Sequence, residues 1–383
     1  MAAAAGDFES VLALIAERST GESHRRRLDD DVVAALANAG VNRMLLPAEL
    51  GGLEADPRDV VNMVARVSAV DASTGWCTGI SAGCNIFSGH VARSAAEEMY
   101  ADPDVGLAGM FAPLGVVTRA GSADGGVDTL LSGRWPFASN CLHSGWIGVG
   151  AVVGNGDDVE PLSRVVFVPA AELMVEDTWD ACGLQATGSH HVRADAVPVD
   201  LDRSATFAGS PWPTGPLWQM PLFTVLLPVL VAAPLGMARS AVDAVMERVA
   251  RSGGGAMRGE LADDPVGVAE IATADAALRA AHAGVIEAVG DVWEAARRGQ
   301  RASRALQARC MLAVQYAVDI AVESVSTAHR LCGGAAAYSG HRVLSTLLDV
   351  HTARQHISFA HQHRARLGRI SAGIDEVAPP FIL

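Results

Sequence analysis

The chain has 383 residues, half of them hydrophobic and 19% charged, which is enough for two or three domains with full cores and excludes a disordered protein. Its formal net charge of −14 argues against a nucleic-acid partner, and the longest basic run, Arg25-Arg26-Arg27, reads as a solvated helix face. All 29 basic residues are arginine, so Schiff-base chemistry on a carbonyl or on pyridoxal phosphate is excluded, as is the lysine of a phosphate-binding P-loop.

Residues 1–104 are expected to be helical. Leu12, Leu14 and Ile15, then Val32, Val33 and Leu36, recur at helical spacing, and Gly40 stands where a C-terminal cap belongs. Asp56-Pro57 with Asp59 reads as an N-cap, a first-position proline and an acidic first turn, and Ser94 with Glu97 as a capping box. Over 105–205, Gly and Asp clusters separate short apolar runs at 115–119, 129–137, 146–153, 165–168 and 192–199, the pattern of an antiparallel β domain. From 206 to 383 helices return. Ala-rich segments at 235–251, 265–298, 302–331 and 341–370 predict a four-helix bundle, with breaks at Gly253-Gly254-Gly255 and Gly333-Gly334.

The uncharged stretch from Met220 to Ala238 approaches membrane-span length, but prolines 221, 228 and 234 interrupt it and no second span is evident. A buried core helix is expected, and no membrane partner. The six cysteines have no zinc-like or C-x-x-C spacing and read as small buried hydrophobes. With no secretory pattern in MAAAAGDFES, a reduced cytoplasmic setting follows.

Two segments can carry chemistry. Gly133 to Asn140, with His143 and Trp146 behind it, offers aromatic faces and a terminal hydroxyl to a flat heteroaromatic group; a β-core with a serine-capped turn is the alternative. Near the C-terminus His351, His356, His361 and His363 surround Arg354, and on one helix His356 and His363 would share a face. No glutamate falls between 324 and 375, so a metal is disfavoured, and one histidine turned toward a pocket as acid or base is preferred. Of His190-His191 on a strand, at most one faces a site. Gly148-Val149-Gly150 and Gly154 miss the dinucleotide spacing by one residue.

Taken together, four segments resemble the flavoprotein monooxygenases built on the acyl-CoA dehydrogenase fold. Asp71 to Trp76 is similar to D-x-S-x-G-W, and Gly133 to Trp146 to G-x-W-x-F-x-S-G…H-x-x-W. Trp179 to Val192 is similar to W-x-x-x-G-L-x-x-T-G-S-x-D-V, and Leu331 to His356 to L-x-G-G-x-A…R-D-x-H-x-x-x-x-H. The resemblance implies a helical domain, a β domain and a four-helix bundle in a homotetramer, with flavin between the last two. It makes Ser139 the hydroxyl near flavin N5, with Trp135 and Phe137 lining the ring and Thr187 and Ser189 in the adjoining loop. Gly333 and Gly334 match a loop that meets a neighbour's flavin tail, and Arg258 is a candidate phosphate partner. Cys84, Asn85, His143, Trp146 and His351 fall on the substrate side; Cys84 replaces a frequent histidine there, and Asn140 replaces a glycine.

Many acyl-CoA dehydrogenases carry a glutamate base in a Y-E-G-T stretch, but this chain has Arg354-Gln355-His356-Ile357. The function implied is therefore hydroxylation of an aromatic or polyketide-like molecule by molecular oxygen through a C4a-hydroperoxyflavin. Reduced FMN or FAD would come from a separate reductase, with His356 and Ser139 as the catalytic pair. The alternatives are a dehydrogenase with a relocated base, an amine or sulfur oxygenase of the same fold, and a flavin-less scaffold.

Overall fold

The computed structural model describes residues 2–19, 26–121, 127–155, 158–252 and 261–374. The first helices are α1 (Ala2–Ser19), α2 (Asp30–Asn38), α3 (Pro57–Val70), α4 (Ala72–Cys84) and α5 (Arg93–Met99). Asp56 accepts from the Arg58 N–H ahead of Pro57, and Gly40 sits at φ +77° beyond α2, both as the sequence predicts. The box at Ser94 does not form. α5 begins one residue earlier, and Glu97 pairs with Arg93 at 3.0 Å instead. Val60, Val61, Val64 and Val67 are fully buried where α3 lies on the long helix described below.

The chain then builds β1 (Leu107–Gly121), β2 (Val127–Trp135), β3 (Trp146–Asn155), β4 (Asp158–Val159), β5 (Arg164–Pro169), β6 (Met174–Glu176), β7 (His191–Pro198) and β8 (Ser204–Ala205). They form one sheet in the order β6-β7-β2-β1-β3-β5-β8, with β4 on β3. The sheet is mixed rather than antiparallel. β2 turns back along one side of β1, residues 136–145 cross the start of β1, and β3 runs parallel to β1 from Leu107↔Trp146 to Val117↔Val153. That crossover holds Phe137, Ser139 and Asn140, so the hydroxyl lies on a connection between strands, at the rim of the sheet.

After α6 (Pro216–Gln219) come α7 (Phe223–Ser252), α8 (Pro265–Arg297), α9 (Arg304–Cys332), α10 (Arg342–Arg354) and α11 (Gln362–Ser371). α7 absorbs the uncharged stretch, with Pro228 and Pro234 inside it and its most apolar window 83% buried, as a core helix requires. Against the expectation of no second span, α9 is also long and apolar enough to cross a membrane by length and composition, though less apolar than α7, and 44% of its most apolar stretch is buried.

The expected helix over 341–370 is broken. His356 leaves helical geometry at φ −60°, ψ 135°, and its ring caps the short turn Ile357–Phe359. Arg354 donates to the Phe359 carbonyl at 2.7 Å, which fixes the bend. His356 and His363 therefore do not share a helix face.

Candidate active site

Ser139 sits between two residues in the left-handed region, Phe137 at φ +66° and Asn140 at φ +68°. Asparagine is among the few side chains that tolerate this conformation, and its amide donates to the Leu107 carbonyl and to Ser144 Oγ, both at 3.3 Å. The turn thus carries the hydroxyl inward and leaves Phe137 58% exposed. Ser139 Oγ accepts from Trp76 Nε1 at 3.1 Å and lies 2.7 Å from Ser189 Oγ. Ser189 Oγ lies 2.7 Å from Thr187 Oγ1, which donates to the Leu184 carbonyl at 2.7 Å.

Three elements converge on this chain. α4 supplies Trp76, its first turn tied by Asp71, which accepts from the Thr74 N–H at 2.7 Å and from the Thr74 hydroxyl at 2.6 Å. The turn over 184–187 supplies Thr187. α10 supplies Asp349, whose Oδ1 accepts from the Leu184 N–H at 2.6 Å. The close approach needs Gly183, where a Cβ would stand 2.2 Å from the Leu348 carbonyl oxygen. Asp349 keeps partial solvent contact, yet burial pushes its carboxyl up to about 7, with the charge of Asp71 adding to the effect and the Leu184 hydrogen bond opposing it.

His356 packs against Trp76, the rings edge-to-face at 5.7 Å. Its Nδ1 accepts from the Ser358 N–H at 3.2 Å; the residue keeps partial solvent contact, yet burial of the ring pulls its pKa down to about 4. The ring is therefore neutral near pH 7 with its proton on Nε2, a hydrogen-bond donor. A cleft of about 860 Å³ runs between residues 207–211, the start of α7, the start of α9 and α11. A smaller cavity shares Phe223, Met311 and Leu367 with it and reaches Ser358, beside His356. Ser139 lines neither.

This arrangement suits a planar, mostly apolar group with a polar edge. Phe137 presents an exposed ring flanked edge-on by Trp179 at 6.4 Å and His191 at 5.8 Å, and the buried Nδ1 of His191 has no hydrogen-bond partner. Residues 229–361 match the family model of the acyl-CoA dehydrogenase C-terminal domain. The chain is 30% identical over 356 residues to an indole-3-acetate monooxygenase of Pseudomonas putida, covering 91% of this chain and 89% of that protein. It is 29% identical over 362 residues to a flavin-dependent monooxygenase, oxygenase subunit HsaA, of Rhodococcus jostii, covering 91% and 92%. Among solved structures, a 3-HSA hydroxylase from a Rhodococcus species superposes with a TM-score of 0.90 at 26% identity over 98% of both chains. The chain belongs to the flavin-dependent monooxygenases of the acyl-CoA dehydrogenase fold.

In this monooxygenase the residues singled out from sequence divide sharply. Ser139, Thr187 and Ser189 form one hydrogen-bonded group, and Trp76 joins them to His356. Trp135 does not line a ring site: it is fully buried in the sheet, its Nε1 bonded to the Gly150 carbonyl at 2.8 Å, over the space left by Gly115 and Gly133. Cys84 is a core thiol pushed up to about 12 by burial. Asn85 is buried and engaged at both ends of its amide, donating to the Asn42 carbonyl at 2.6 Å and accepting from the Tyr100 hydroxyl at 3.0 Å.

His143 packs toward Asp30 at 3.7 Å, Trp146 lies under the Arg203 guanidinium at 5.3 Å, and His351 is exposed. None of these five meets Ser139. His190 is buried and accepts from the N–H groups of Thr178 and Trp179 at 3.2 Å, leaving His191 to face Phe137. Gly333, at φ +59° and ψ −148°, and Gly334 are exposed beyond α9. Arg258 lies outside the described residues, and Cys182 is an exposed thiol against expectation. Trp76 and Asp349 were within quoted motifs, but their partners are 63 and 165 residues away, and no local pattern announces such contacts.

Proposed function

We propose that this monooxygenase binds reduced FMN or FADH2 delivered by a separate reductase and hydroxylates an aromatic small molecule with molecular oxygen. The observation that carries the reading is the Ser139 hydroxyl, held by Trp76 and Ser189, with His356 against the same indole. The reduced flavin, when bound, supplies the two electrons that activate oxygen. Ser139 would hold the N5 edge, Phe137 would cover the ring, and Thr187 and Ser189 would keep Ser139 in place. His356, neutral and donating from Nε2, would hold the oxygen-side group or a substrate hydroxyl as a hydrogen-bond donor rather than serve as a base. The apolar walls around Phe223, Met311 and Leu367 would exclude water along the substrate's approach.

An aromatic substrate is supported by the indole-3-acetate monooxygenase relative, and a separate reductase by the oxygenase-subunit relative. The family resemblance supports three domains at 1–104, 105–205 and 206–383 and a homotetramer in which the open Gly333-Gly334 loop meets a neighbour's flavin tail. The test is anaerobic mixing with reduced FMN or FADH2 and a panel of phenols and indoles, followed by oxygen-18 gas. A product carrying one labelled oxygen atom is expected. Flavin oxidation yielding only hydrogen peroxide with every aromatic offered, or reduction of bound FAD by an acyl-CoA, would overturn the reading.

A further inference from the structure

Four hydrogen bonds run in line from Trp76 through Ser139, Ser189 and Thr187 to the carbonyl of Leu184. Each hydroxyl has one proton to give, and with a proton in each of the three 2.7 Å contacts they can be assigned in one way only. The Leu184 carbonyl accepts from the Trp179 indole N–H at 3.0 Å and the Thr187 N–H at 3.2 Å and cannot donate, so its 2.7 Å contact with the Thr187 hydroxyl takes the Thr187 proton. The 2.7 Å contact between Thr187 and Ser189 then needs the proton of Ser189, and the 2.7 Å contact between Ser189 and Ser139 needs that of Ser139. The indole N–H only donates. Any reversal would leave two oxygens 2.7 Å apart with no proton between them.

Burial removes the ordinary escape from this logic. Trp76, Thr187 and Ser189 are exposed by 4%, 1% and 3%, so solvent cannot reorient the hydroxyls. Leu184, the terminus, is itself held through its N–H by Asp349. Ser139 therefore has no proton left to offer and one lone pair unused, and at 8% it is the most exposed member of the chain.

We propose that Thr187 and Ser189 are specificity-determining residues that lock Ser139 as an acceptor, so that the site takes a flavin whose N5 bears hydrogen and discriminates against the oxidised ring. This rests on the reading of Ser139 as the partner of N5. In the reduced ring N5 is an N–H donor, which an acceptor serine satisfies. In the oxidised ring N5 is a bare lone pair, which meets a second lone pair and gains nothing. Redox selectivity here follows from the direction of three hydroxyl protons, two of them on residues that need not touch the cofactor.

The test is a pair of binding measurements on the full-length protein: anaerobic titration with reduced FMN and aerobic titration with oxidised FMN, repeated with FAD. In Ser189→Ala the proton of Ser139 loses its acceptor and becomes available to N5. In Thr187→Val the proton of Ser189 can turn back to Ser139, with the same result. Both variants are expected to lower the ratio of oxidised to reduced dissociation constants about tenfold, the size of one net hydrogen bond, partly by tighter binding of the oxidised form. Thr187→Ser preserves the direction and is expected to keep the ratio of the unmodified protein. Weaker binding of both redox forms with an unchanged ratio, in variants whose far-ultraviolet circular dichroism is native, would overturn the assignment while leaving the flavin reading standing. Failure of the unmodified protein to bind either form would overturn both.

Discussion

The indole N–H of Trp76 reaches Ser139 Oγ at 3.1 Å, so a helix of the first hundred residues, and not the sheet alone, positions the hydroxyl on the crossover. Trp76→Phe keeps most of the ring against His356 and loses this one bond. The expected cost is about 1 kcal/mol in urea unfolding, with reduced-flavin affinity weakened several-fold. Trp76→Ala opens a cavity in a side chain 4% exposed and is expected to cost about 3–5 kcal/mol. Equal stability losses in the two variants would contradict the role assigned to the N–H.

His356 gives a prediction with a defined sign. Its folded pKa is depressed to about 4 from 6.5, so between those values the unfolded chain binds a proton that the folded one does not. Stability from this group is complete above about pH 6.5 and is lost as pH falls toward 4, by on the order of 2–3 kcal/mol. His356→Asn should flatten that acid limb in chemical-denaturation midpoints. His356→Ala is expected to lower product formed per flavin oxidised by tenfold or more, with hydrogen peroxide rising to match. Unaltered coupling would remove His356 from the reaction.

Asp349 works in the opposite direction. Its folded pKa is raised from 3.8 to about 7, so its contribution is complete below pH 4 and is lost as pH rises through 7. Asp349→Asn keeps an oxygen for the Leu184 N–H and removes the charge. The variant should therefore be more stable than the parent at pH 8, by a few kcal/mol, and indistinguishable from it near pH 4. Asp349→Leu, with no acceptor, should be less stable than Asp349→Asn by about 1–3 kcal/mol at both pH values. A parent stability that does not decline between pH 4 and 8 relative to Asp349→Asn would refute the buried, proton-retaining carboxyl.

Gly333 supplies a purely conformational test. At φ +59° and ψ −148° it occupies a region closed to side chains with a Cβ, although nothing lies within 4 Å of where that Cβ would be. Gly333→Ala should cost about 1–3 kcal/mol through the backbone alone. Gly334→Ala has no such constraint on φ and should change stability far less. Comparable thermal shifts in the two would contradict this account.

The helices were legible because their signals are local. Asp56-Pro57 caps α3, and the valines that follow keep one period. The uncharged Met220–Ala238 stretch was legible as core for the same reason, and Pro228 and Pro234 sit inside a packed helix. The parallel pairing of β1 with β3 was not, because strand direction depends on where residues 136–145 cross, and their composition does not record it. The break at His356 was missed because an imidazole serves as its cap, a role that sequence patterns assign to Ser, Thr, Asp or Asn. At the site, Ser139 stood out as a hydroxyl ending a strand, whereas Trp135 four residues earlier looked equally available. Only the pleat, with Gly115 and Gly133 beneath the indole, turns Trp135 into core.

The bond between Leu184 and Asp349 joins residues 165 positions apart, and it dictates when the site can exist. During synthesis from the N-terminus the sheet and its crossover emerge long before α10, so Ser139, Ser189 and Thr187 are present while their terminus is still unclamped. A chain that stops short of α10 could pair strands yet would lack the carboxyl that fixes residue 184. Organisation of the hydroxyls is thus deferred to the last stage of folding, when α10 docks, and the chain gains its ordered polar chain only once nearly all of it has been made.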